Sequence, residues 1–524
     1  MKKYKSIRMI ISIFAVILLL TACSAPSSTS SGSTGDSSGS ASESQLEAVT
    51  LSWYSSVNKK APGEPEMADA VNSYLQEKLN VTVDFHLYEL ADYKTAVPTM
   101  ITSGQEMDIV YSGNGAINGY VTTANQNAFV ALDDYIDQYL PKTKALVSQA
   151  TWEAVRVNGK IYAIPPLKDL AANWGFLVNQ DMLDDLGVLF PEKFDTAADL
   201  IPFFYEVKQA RDAKYPEKAE NPVLGSAPSR MDQWYYYEVI NGLACVNIPG
   251  LTNLAGKGDG ETVFNLYETD EYRQMMKTVR QLVVDGVVPF DGTSFDPDKV
   301  LFNAGELLGA YPQGYIYVDE DMNAPYYKTT LHQAQNSIMT TSYVQATLQS
   351  ISHTSKHVER SLMLLELVNT DPYLATILRF GPEGENWTDE DNDNILEFTE
   401  KNSDSANRAW YEWYGQWGNI TISKYPEGYP ANFGDLVKEL NDSSNQESNL
   451  GFIFDTASVQ NEIAACNNVI SEYDEVLKKG QSDDVDGLID TFVQKLRDNG
   501  SEKIVEEAQR QLTEWRASVG KSVQ

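Results

Sequence analysis

The chain has 524 residues and a formal net charge of −34 at pH 7, which argues against nucleic acid and other polyanions as ligands because like charges repel. Its length exceeds what a single hydrophobic core usually supports, and its 42% of hydrophobic residues can fill more than one. We therefore expect two large lobes, and we expect the protein to act as a monomer.

The N-terminus has the pattern of a secretory signal. Four basic residues among the first eight precede an apolar run at 9–20 that is too short to span a bilayer as a finished anchor. The tetrapeptide at 20–23, Leu-Thr-Ala-Cys, matches the lipobox of bacterial lipoproteins. Residues 1–22 are thus predicted to be a lipoprotein signal peptide, with Cys23 as the lipidated first residue. The expected location is the outer face of the cytoplasmic membrane of a Gram-positive cell, through a palmitate-type anchor.

Residues 23–47 are predicted to be the lipidated cysteine and a disordered tether. Sixteen of the twenty-one residues at 24–44 are Ser, Thr or Gly, and such a segment cannot bury enough apolar surface to fold. A flexible chain of this length reaches on the order of 25 Å. Loss of residues 1–22, which contain four basic and no acidic side chains, changes the formal net charge to −38.

The chain that follows reads as an α/β sequence. Apolar runs and alternation predict strands, and apolar residues at helical spacing predict helices, in the order strand Val49–Tyr54, helix Pro65–Leu79, strand Val81–His86, helix Ala91–Ser103 and strand Met107–Tyr111. Right-handed crossovers then imply a parallel sheet whose ligands bind beyond the carboxyl ends of the strands.

Three local patterns predict turns and helix ends. Asn158-Gly159 predicts a tight hairpin, and Thr196 with Asp199 predicts a capping box at the start of a helix. After Leu450, apolar spacing predicts three amphipathic helices, with Gly480 and Gly500 between them.

Several stretches together resemble family 1 extracellular solute-binding proteins of bacterial ABC importers. These stretches are Thr102–Gly115, Val157–Pro165, Trp174–Val188 and Ile351–Pro372, and Gly451–Gly480 looks like the C-terminal helical region of one lipoprotein branch of the family. The resemblance implies a two-lobe, periplasmic-binding-protein-like α/β fold, in which each lobe is a mixed sheet flanked by helices, with a helical C-terminal region.

The same resemblance implies lobe boundaries. The N-terminal lobe is expected to comprise residues 48–165 and 345–380, and the C-terminal lobe 166–344 and 381–524, including the C-terminal helices. The chain is expected to cross between the lobes near 165–173 and to return near 343–352.

The implied function is capture of a solute, above all a sugar or oligosaccharide, and its delivery to ABC permease subunits. Peptides and phosphorylated compounds remain alternative ligands. Two other functions are a secreted lipoprotein glycosidase, which would consume its ligand, and a sensor that reports ligand to a membrane kinase. Neighbouring genes for two permeases would favour the importer over the sensor.

Ligand-binding candidates follow from sugar chemistry, since flat aromatic faces stack on the apolar faces of pyranose rings. Candidates beside predicted cleft-facing loops are Trp53, Tyr54, Trp174, Trp234, Tyr235, Tyr311 and Trp387. Asn114 joins them because the loop Ser112–Gly115 lets backbone amides approach a ligand closely.

No catalytic motif accompanies these residues. The four histidines, His86, His332, His353 and His357, occur without the sequence partners of a nucleophile elbow, a zinc-binding helix or a Cys-His pair. The chain is therefore predicted not to be an enzyme and to require no cofactor. Cys245 and Cys466 are expected to be buried free thiols.

One spacing predicts a structural calcium site. Asp389, Asp391, Asp393 and Glu400 occupy positions 1, 3, 5 and 12 of an EF-hand-type loop, with Ile395 at the backbone-carbonyl position. Oxygen ligands suit Ca²⁺, although an asparagine stands where glycine is expected. The alternative is an acidic β-hairpin turn after Trp387.

Overall fold

The computed structural model describes residues 46–521 except 114, 118, 173–174, 252–257, 290–305, 311–328, 335, 405–406 and 413–414. Residues Glu47–Gln524 form one compact unit. The predicted signal peptide, Cys23 and almost all of the predicted tether lie outside the described residues. Within the described part of the chain, no helix has both the length and the apolar character needed to cross a membrane.

A four-stranded mixed sheet forms the centre of the first lobe. Its strands lie in the spatial order Gln349–Ile351, Ile109–Tyr111, Val49–Val57 and Val81–Glu89. The last three are parallel to one another, and Gln349–Ile351 is antiparallel to its neighbour. Helices Glu64–Leu79 and Leu90–Ser103 make the crossovers that parallel strands require. The predicted succession of strands and helices is confirmed, while the antiparallel strand makes the sheet mixed.

Shorter elements complete this lobe. The predicted turn is confirmed, since Asn158 and Gly159 adopt φ values of 50° and 78° between the paired strands Arg156–Val157 and Lys160–Ile161. The helices are Tyr120–Asn125, Ile136–Tyr139, Pro141–Leu146, Gln149–Glu153, Thr341–Val344, Val358–Thr370, Pro372–Phe380, Glu400–Ser403 and Phe433–Ser443, and a further sheet contains Trp387–Thr388, Ile395–Phe398 and Tyr425–Pro426.

The second lobe contains two three-stranded antiparallel sheets and long helices. One sheet pairs Gly175–Asn179 with Gly309–Ala310 and Thr329–Gln333, and the other contains Tyr237–Val239, Ala244–Asn247 and Phe264–Asn265. Its helices are Gln180–Leu186, Ala197–Lys214, Met231–Trp234, Asp270–Val284, Gln460–Lys478, Val485–Asp498 and Ser501–Ser518. The last three confirm the predicted C-terminal helices, and the capping box of Thr196 and Asp199 is present.

Buried side chains show where each segment packs. The core of the first lobe, here the first core, contains Trp53 and Ile109 but also Trp387, Trp410 and Trp417. Residues from 381 to 417 were expected in the second lobe. The structure corrects this, because their largest apolar side chains are fully buried against the first sheet and its helices.

A second core lies on the other side of the hinge. It comprises two adjoining clusters, one around Phe176 and Phe204 and one that includes Phe492 and Leu512 of the C-terminal helices. Ile201 packs against both clusters. Cys245 and Cys466 lie in this core as buried, free thiols, as the sequence predicts.

Three strands form a small sheet where the chain passes between the lobes. This hinge sheet contains Ala171–Ala172, Ile338–Met339 and Asn445–Gln446. Met339 packs in the first core, whereas Ile338 packs with second-lobe side chains. The first crossing falls within the segment predicted at 165–173. The third crossing, at 445–446, was not predicted.

Candidate functional site

A cavity of about 740 Å³ lies between the two lobes beside the hinge sheet. This volume falls within the usual range for ligand pockets, roughly 300–1,000 Å³. The lining residues are Gly119, Val121 and Thr122 of the first lobe, Arg230, Asp232, Gln233 and Tyr235–Ile240 of the second lobe, and Asn336, Ile338, Thr340–Tyr343, Gln345, Glu447 and Phe452–Phe454 at or beside the hinge. A ligand in this cavity would therefore touch both lobes and the segments that join them.

Three consecutive tyrosines form much of the second-lobe wall. Tyr235 and Tyr237 are half-buried, and Tyr236 is buried. The Tyr236 hydroxyl donates to the backbone oxygen of Asp195 at 2.8 Å, and burial raises the pKa of Tyr236 to about 12. The hydroxyl therefore stays protonated at neutral pH, and this wall offers ring faces beside neutral polar groups.

Charged and amide side chains complete the lining. At the solvent edge, Arg230 Nε donates to Asp232 Oδ1 at 3.0 Å, so these two charges offset each other. Deeper in the molecule, Asn336 Nδ2 donates to Asp195 Oδ1 at 3.2 Å, and Gln345 Nε2 donates to the Ala154 oxygen at 2.8 Å. These bonds fix side chains that face the cavity.

Two carboxylates lie at the hinge end of the cavity. Glu238 is 3% exposed and Glu447 is 8% exposed. Burial raises the pKa of Glu238 well above its usual range, and repulsion from Glu447 raises it further. Burial also raises the pKa of Glu447 to about 7, although hydrogen bonds from Thr341 oppose this change. The pair therefore holds protons more tightly than exposed carboxylates do.

Of the eight predicted ligand-binding residues, the structure places Tyr235 in the cavity lining. Asn114, Trp174 and Tyr311 lie outside the described residues. The remaining four are packed in the protein interior.

The packing of these four residues explains the difference. Trp53 is fully buried between Phe85 and Trp417, at ring-centroid distances of 5.9 and 5.7 Å. Tyr54 is 3% exposed and stacks on the His86 ring at 4.3 Å. Such rings have no free face for a sugar.

The two other tryptophans are held by hydrogen bonds as well as by packing. Trp234 Nε1 donates to the Pro228 oxygen at 2.6 Å, and Trp387 Nε1 donates to the Gly381 oxygen at 2.9 Å. Both side chains are buried, and neither lines the cavity. In this structure neither indole presents a ring face to the cavity between the lobes.

Several cavity residues were missed in the sequence. Glu238, Glu447 and Thr341 come from segments far apart in the chain, and no spacing links them. One signal was available, because the run Tyr235-Tyr236-Tyr237-Glu238 directly follows the predicted candidate Trp234. Alternation along the strand Tyr237–Val239 then buries Glu238 and leaves Val239 58% exposed.

The predicted calcium loop brings three of its ligands together. Carboxylate oxygens of Asp389, Asp391 and Asp393 all lie within 4.8 Å of one another. Asn394 has a φ of 76°, which is the left-handed conformation that the expected glycine would supply. Asp389 is ion-paired with Lys424.

The other two predicted ligands lie beyond this cluster in the chain. Ile395 begins the strand Ile395–Phe398, which pairs with Trp387–Thr388, and Glu400 begins a short helix. The loop is therefore also the turn of a β-hairpin. The Asp389–Lys424 ion pair and the backbone bond from Asp393 lower the pKa of Asp389 more than its burial raises it, so this carboxylate is ionised at neutral pH.

Comparisons with known proteins agree with this architecture. Residues 448–517 match a domain of unknown function, DUF3502. Over 476 residues the chain is 26% identical to a carbohydrate ABC transporter substrate-binding protein of Streptococcus pneumoniae serotype 4 (strain ATCC BAA-334 / TIGR4), which covers 88% of this chain and 89% of that protein.

Two solved structures show the same fold. The crystal structure of the N-glycan transport solute binding protein (NgtS) from Streptococcus pneumoniae has a TM-score of 0.71 at 24% identity and covers 89% of this chain and 98% of that one. An HMO binding ABC-transporter associated solute binding protein from Bifidobacterium longum infantis has a TM-score of 0.57 at 15% identity, and the match covers 89% of this chain and 98% of that one. The predicted two-lobe fold is confirmed, and these relatives are transport proteins rather than enzymes.

Proposed function

We propose that this chain, which has the sequence and two-lobe fold of the family 1 extracellular solute-binding proteins, captures an oligosaccharide and delivers it to an ABC permease. The observation that carries the proposal is the cavity of about 740 Å³ lined by both lobes and the hinge. The protein acts as a monomer at the outer face of the cytoplasmic membrane.

The chemistry of the lining favours a saccharide. Tyr235 and Tyr237 present partly exposed rings that can cover the apolar face of a pyranose. Glu238 and Glu447 can accept hydrogen bonds from hydroxyl groups, and the Arg230–Asp232 pair stands at the edge. The carbohydrate transporter relative supports the same ligand class, as do complexes of the N-glycan transport protein with Man1GlcNAc and Man5GlcNAc.

Capture is coupled to movement about the hinge sheet. A ligand between the lobes makes its full set of contacts when the lobes close, so it stabilises the closed state by its differential affinity for that state. Three short strands cross here side by side, and small backbone rotations in each can change the angle between the lobes. The permease then receives a closed, liganded protein.

A thermal-shift panel tests the proposed function. Malto-, cello- and manno-oligosaccharides and Man5GlcNAc are each added to the purified mature protein at pH 7.5. A ligand at about 100 times its dissociation constant adds roughly 2.7 kcal/mol to stability, so at least one saccharide should raise the Tm. If a peptide panel raises the Tm and no saccharide does, the carbohydrate assignment is wrong. Release of shorter saccharides during the incubation would instead indicate a glycosidase.

Anchoring is a separate part of the proposal and is supported by the lipobox at 20–23. Replacing Cys23 with alanine should block lipidation, so that the protein appears as unprocessed precursor or in the medium. Cys245→Ala removes a buried thiol elsewhere and should leave the protein membrane-bound. Membrane fractionation with mass spectrometry of the N-terminus distinguishes these results. Equal retention of both variants, with no lipid on the wild-type protein, contradicts the lipobox interpretation.

We also propose that the loop around Asp389, Asp391 and Asp393 binds Ca²⁺. Three clustered carboxylates and a left-handed Asn394 support this assignment. Calorimetric titration with CaCl₂ should show binding, and thermal denaturation should show a higher Tm in the presence of Ca²⁺. Both are expected because the three carboxylates already lie together in the folded protein.

Variants make the calcium test specific. Asp391→Asn together with Asp393→Asn should abolish the heat, whereas Asp435→Asn removes one exposed charge elsewhere and should not change it. Lys424→Gln should tighten binding, because Ca²⁺ no longer displaces an ion-paired ammonium from Asp389. Absence of heat in the wild-type protein eliminates the site.

A further inference from the structure

Glu238 and Glu447 reach the same end of the cavity from different parts of the fold. Glu238 lies in the second-lobe strand Tyr237–Val239, and Glu447 directly follows the hinge strand Asn445–Gln446. Both side chains line the cavity and both are at least nine-tenths buried. Buried carboxylates at a ligand cavity are costly unless they are hydrogen-bonded or used in binding.

Hydrogen bonds from Asn449, an uncharged residue, hold Glu238 in place. Asn449 donates to Glu238 Oε2 through its backbone nitrogen at 3.2 Å and through Nδ2 at 3.1 Å. Arg516 donates to Asn449 Oδ1 at 2.7 Å and also bonds Glu261 at 2.6 Å. The guanidinium charge is thus offset by Glu261 rather than by Glu238.

Glu447 is tied to the hinge itself. Its backbone nitrogen donates to the Met339 oxygen at 3.1 Å, and its Oε2 accepts from the Thr341 nitrogen at 2.8 Å. Thr341 Oγ1 in turn accepts from the Gly451 nitrogen at 2.9 Å. A ligand group that contacts Glu447 therefore acts on two of the three segments that join the lobes.

The charged groups that face this pair bring little net positive charge to it. They are Arg230 and Asp232 at the cavity edge, Glu261 and Arg516 behind Asn449, and Lys521. The first four form two mutually offset pairs. Lys521 attracts Glu238 and lowers its pKa, but burial and repulsion from Glu447 have the larger, opposite effect, and the ammonium donates to the Ser448 oxygen.

We propose that Glu238 and Glu447 are specificity-determining residues that restrict the cavity to uncharged saccharides. The pair forms hydrogen bonds with ligand hydroxyls at the hinge end, and the negative charge that it keeps on Glu447 repels carboxylate, sulfate or phosphate groups in the same place. This inference rests on the proposed function. It narrows the proposed ligand class to neutral oligosaccharides and assigns the preference for neutral over anionic ligands to Glu238 and Glu447.

The test compares matched ligands. The malto-, cello- and manno-oligosaccharides of the panel are titrated calorimetrically at pH 7.5, before and after oxidation of their primary hydroxyls to carboxylates. A neutral oligosaccharide that binds the wild-type protein should bind about 100-fold more tightly than its oxidised form, because like charges brought together cost several kcal/mol. Equal affinities for the neutral and oxidised forms would overturn the specificity proposal and leave the proposed function intact. If no saccharide binds in either form, the proposed function fails and this proposal fails with it.

Substitutions test whether Glu238 and Glu447 cause the preference for neutral over oxidised ligands. Glu447→Gln keeps the shape of the side chain, removes the charge of the pair and should reduce the affinity ratio about tenfold, whereas Glu238→Gln should reduce it less because burial already favours the protonated form of Glu238. Asp435→Asn, which removes an exposed charge outside the cavity, should leave the ratio unchanged. An unchanged ratio in both glutamine variants, with wild-type Tm values, contradicts the assignment to this pair.

Wild-type protein alone provides a second measurement if a variant fails to fold. Lowering the pH from 8 to 5 protonates Glu447, whose pKa burial raises to about 7, while the sugar carboxylate remains ionised. The affinity ratio between neutral and oxidised ligand should therefore fall about tenfold over this range. A ratio that is constant from pH 8 to pH 5 overturns the proposal.

Discussion

Replacing Trp387 with alanine is expected to lower the free energy of unfolding by about 3–5 kcal/mol, the usual cost of removing a large buried aromatic side chain. Trp387 is fully buried in the first core, and its indole nitrogen donates to the Gly381 oxygen at 2.9 Å. The substitution leaves a cavity and an unpaired carbonyl oxygen. Because Trp387 does not line the ligand cavity, the folded fraction of the Trp387→Ala variant should bind saccharide with wild-type affinity.

Urea unfolding and calorimetry check both halves of this expectation. Tyr373→Ala is the matched control, since Tyr373 is 40% exposed and its loss should cost well under the 3–5 kcal/mol of a buried aromatic residue. Normal stability with lost binding in Trp387→Ala would assign this residue to the ligand instead of the core.

The second large effect is a pH-dependent stability that comes from Glu412. This side chain is 2% exposed, and burial raises its pKa from 4.5 to about 7, although the backbone nitrogen of Asn58 donates to Oε1 at 3.0 Å. The folded protein therefore binds the proton more tightly than the unfolded chain. The resulting stability is present below about pH 4.5 and is lost as the pH rises through about 7. It is worth at most about 3 kcal/mol.

Glu412→Gln keeps an acceptor for Asn58 and removes the titration. At pH 8 the variant should be more stable than the wild-type protein by up to about 3 kcal/mol, and this difference should shrink towards zero near pH 5. The comparison isolates Glu412, because Glu238 and Glu447 titrate in both proteins. Denaturation profiles that run parallel from pH 5 to pH 8 would show that Glu412 is ionised in the folded state.

Local patterns in the sequence predicted local structure well. The alternation in Val81–Glu89, the hairpin at Asn158-Gly159 and the capping box of Thr196 with Asp199 each depend on neighbouring residues alone. The C-terminal helices were equally accessible, since their apolar faces recur at helical spacing. The mixed character of the first sheet followed from the family resemblance rather than from spacing.

Features that depend on distant contacts were predicted poorly. The aromatic side chains at 387, 410 and 417 join the first core because the chain returns to that lobe before its third crossing. Nothing local distinguishes Trp387, which packs inward, from Tyr235, which lines the cavity. The Glu238–Glu447 pair likewise arises when a second-lobe strand meets the hinge, so its carboxylates converge only in the folded protein.

Calorimetric titration of Tyr235→Ala tests the central claim most directly. The ligand is whichever saccharide raises the Tm in the panel, and the reference proteins are the wild type and Tyr373→Ala, whose exposed tyrosine lies outside the cavity lining. Loss of a ring that stacks on the sugar should weaken binding about 10- to 100-fold in Tyr235→Ala, with no change in Tyr373→Ala. Equal affinity in all three proteins would show that the saccharide does not bind in the cavity between the lobes.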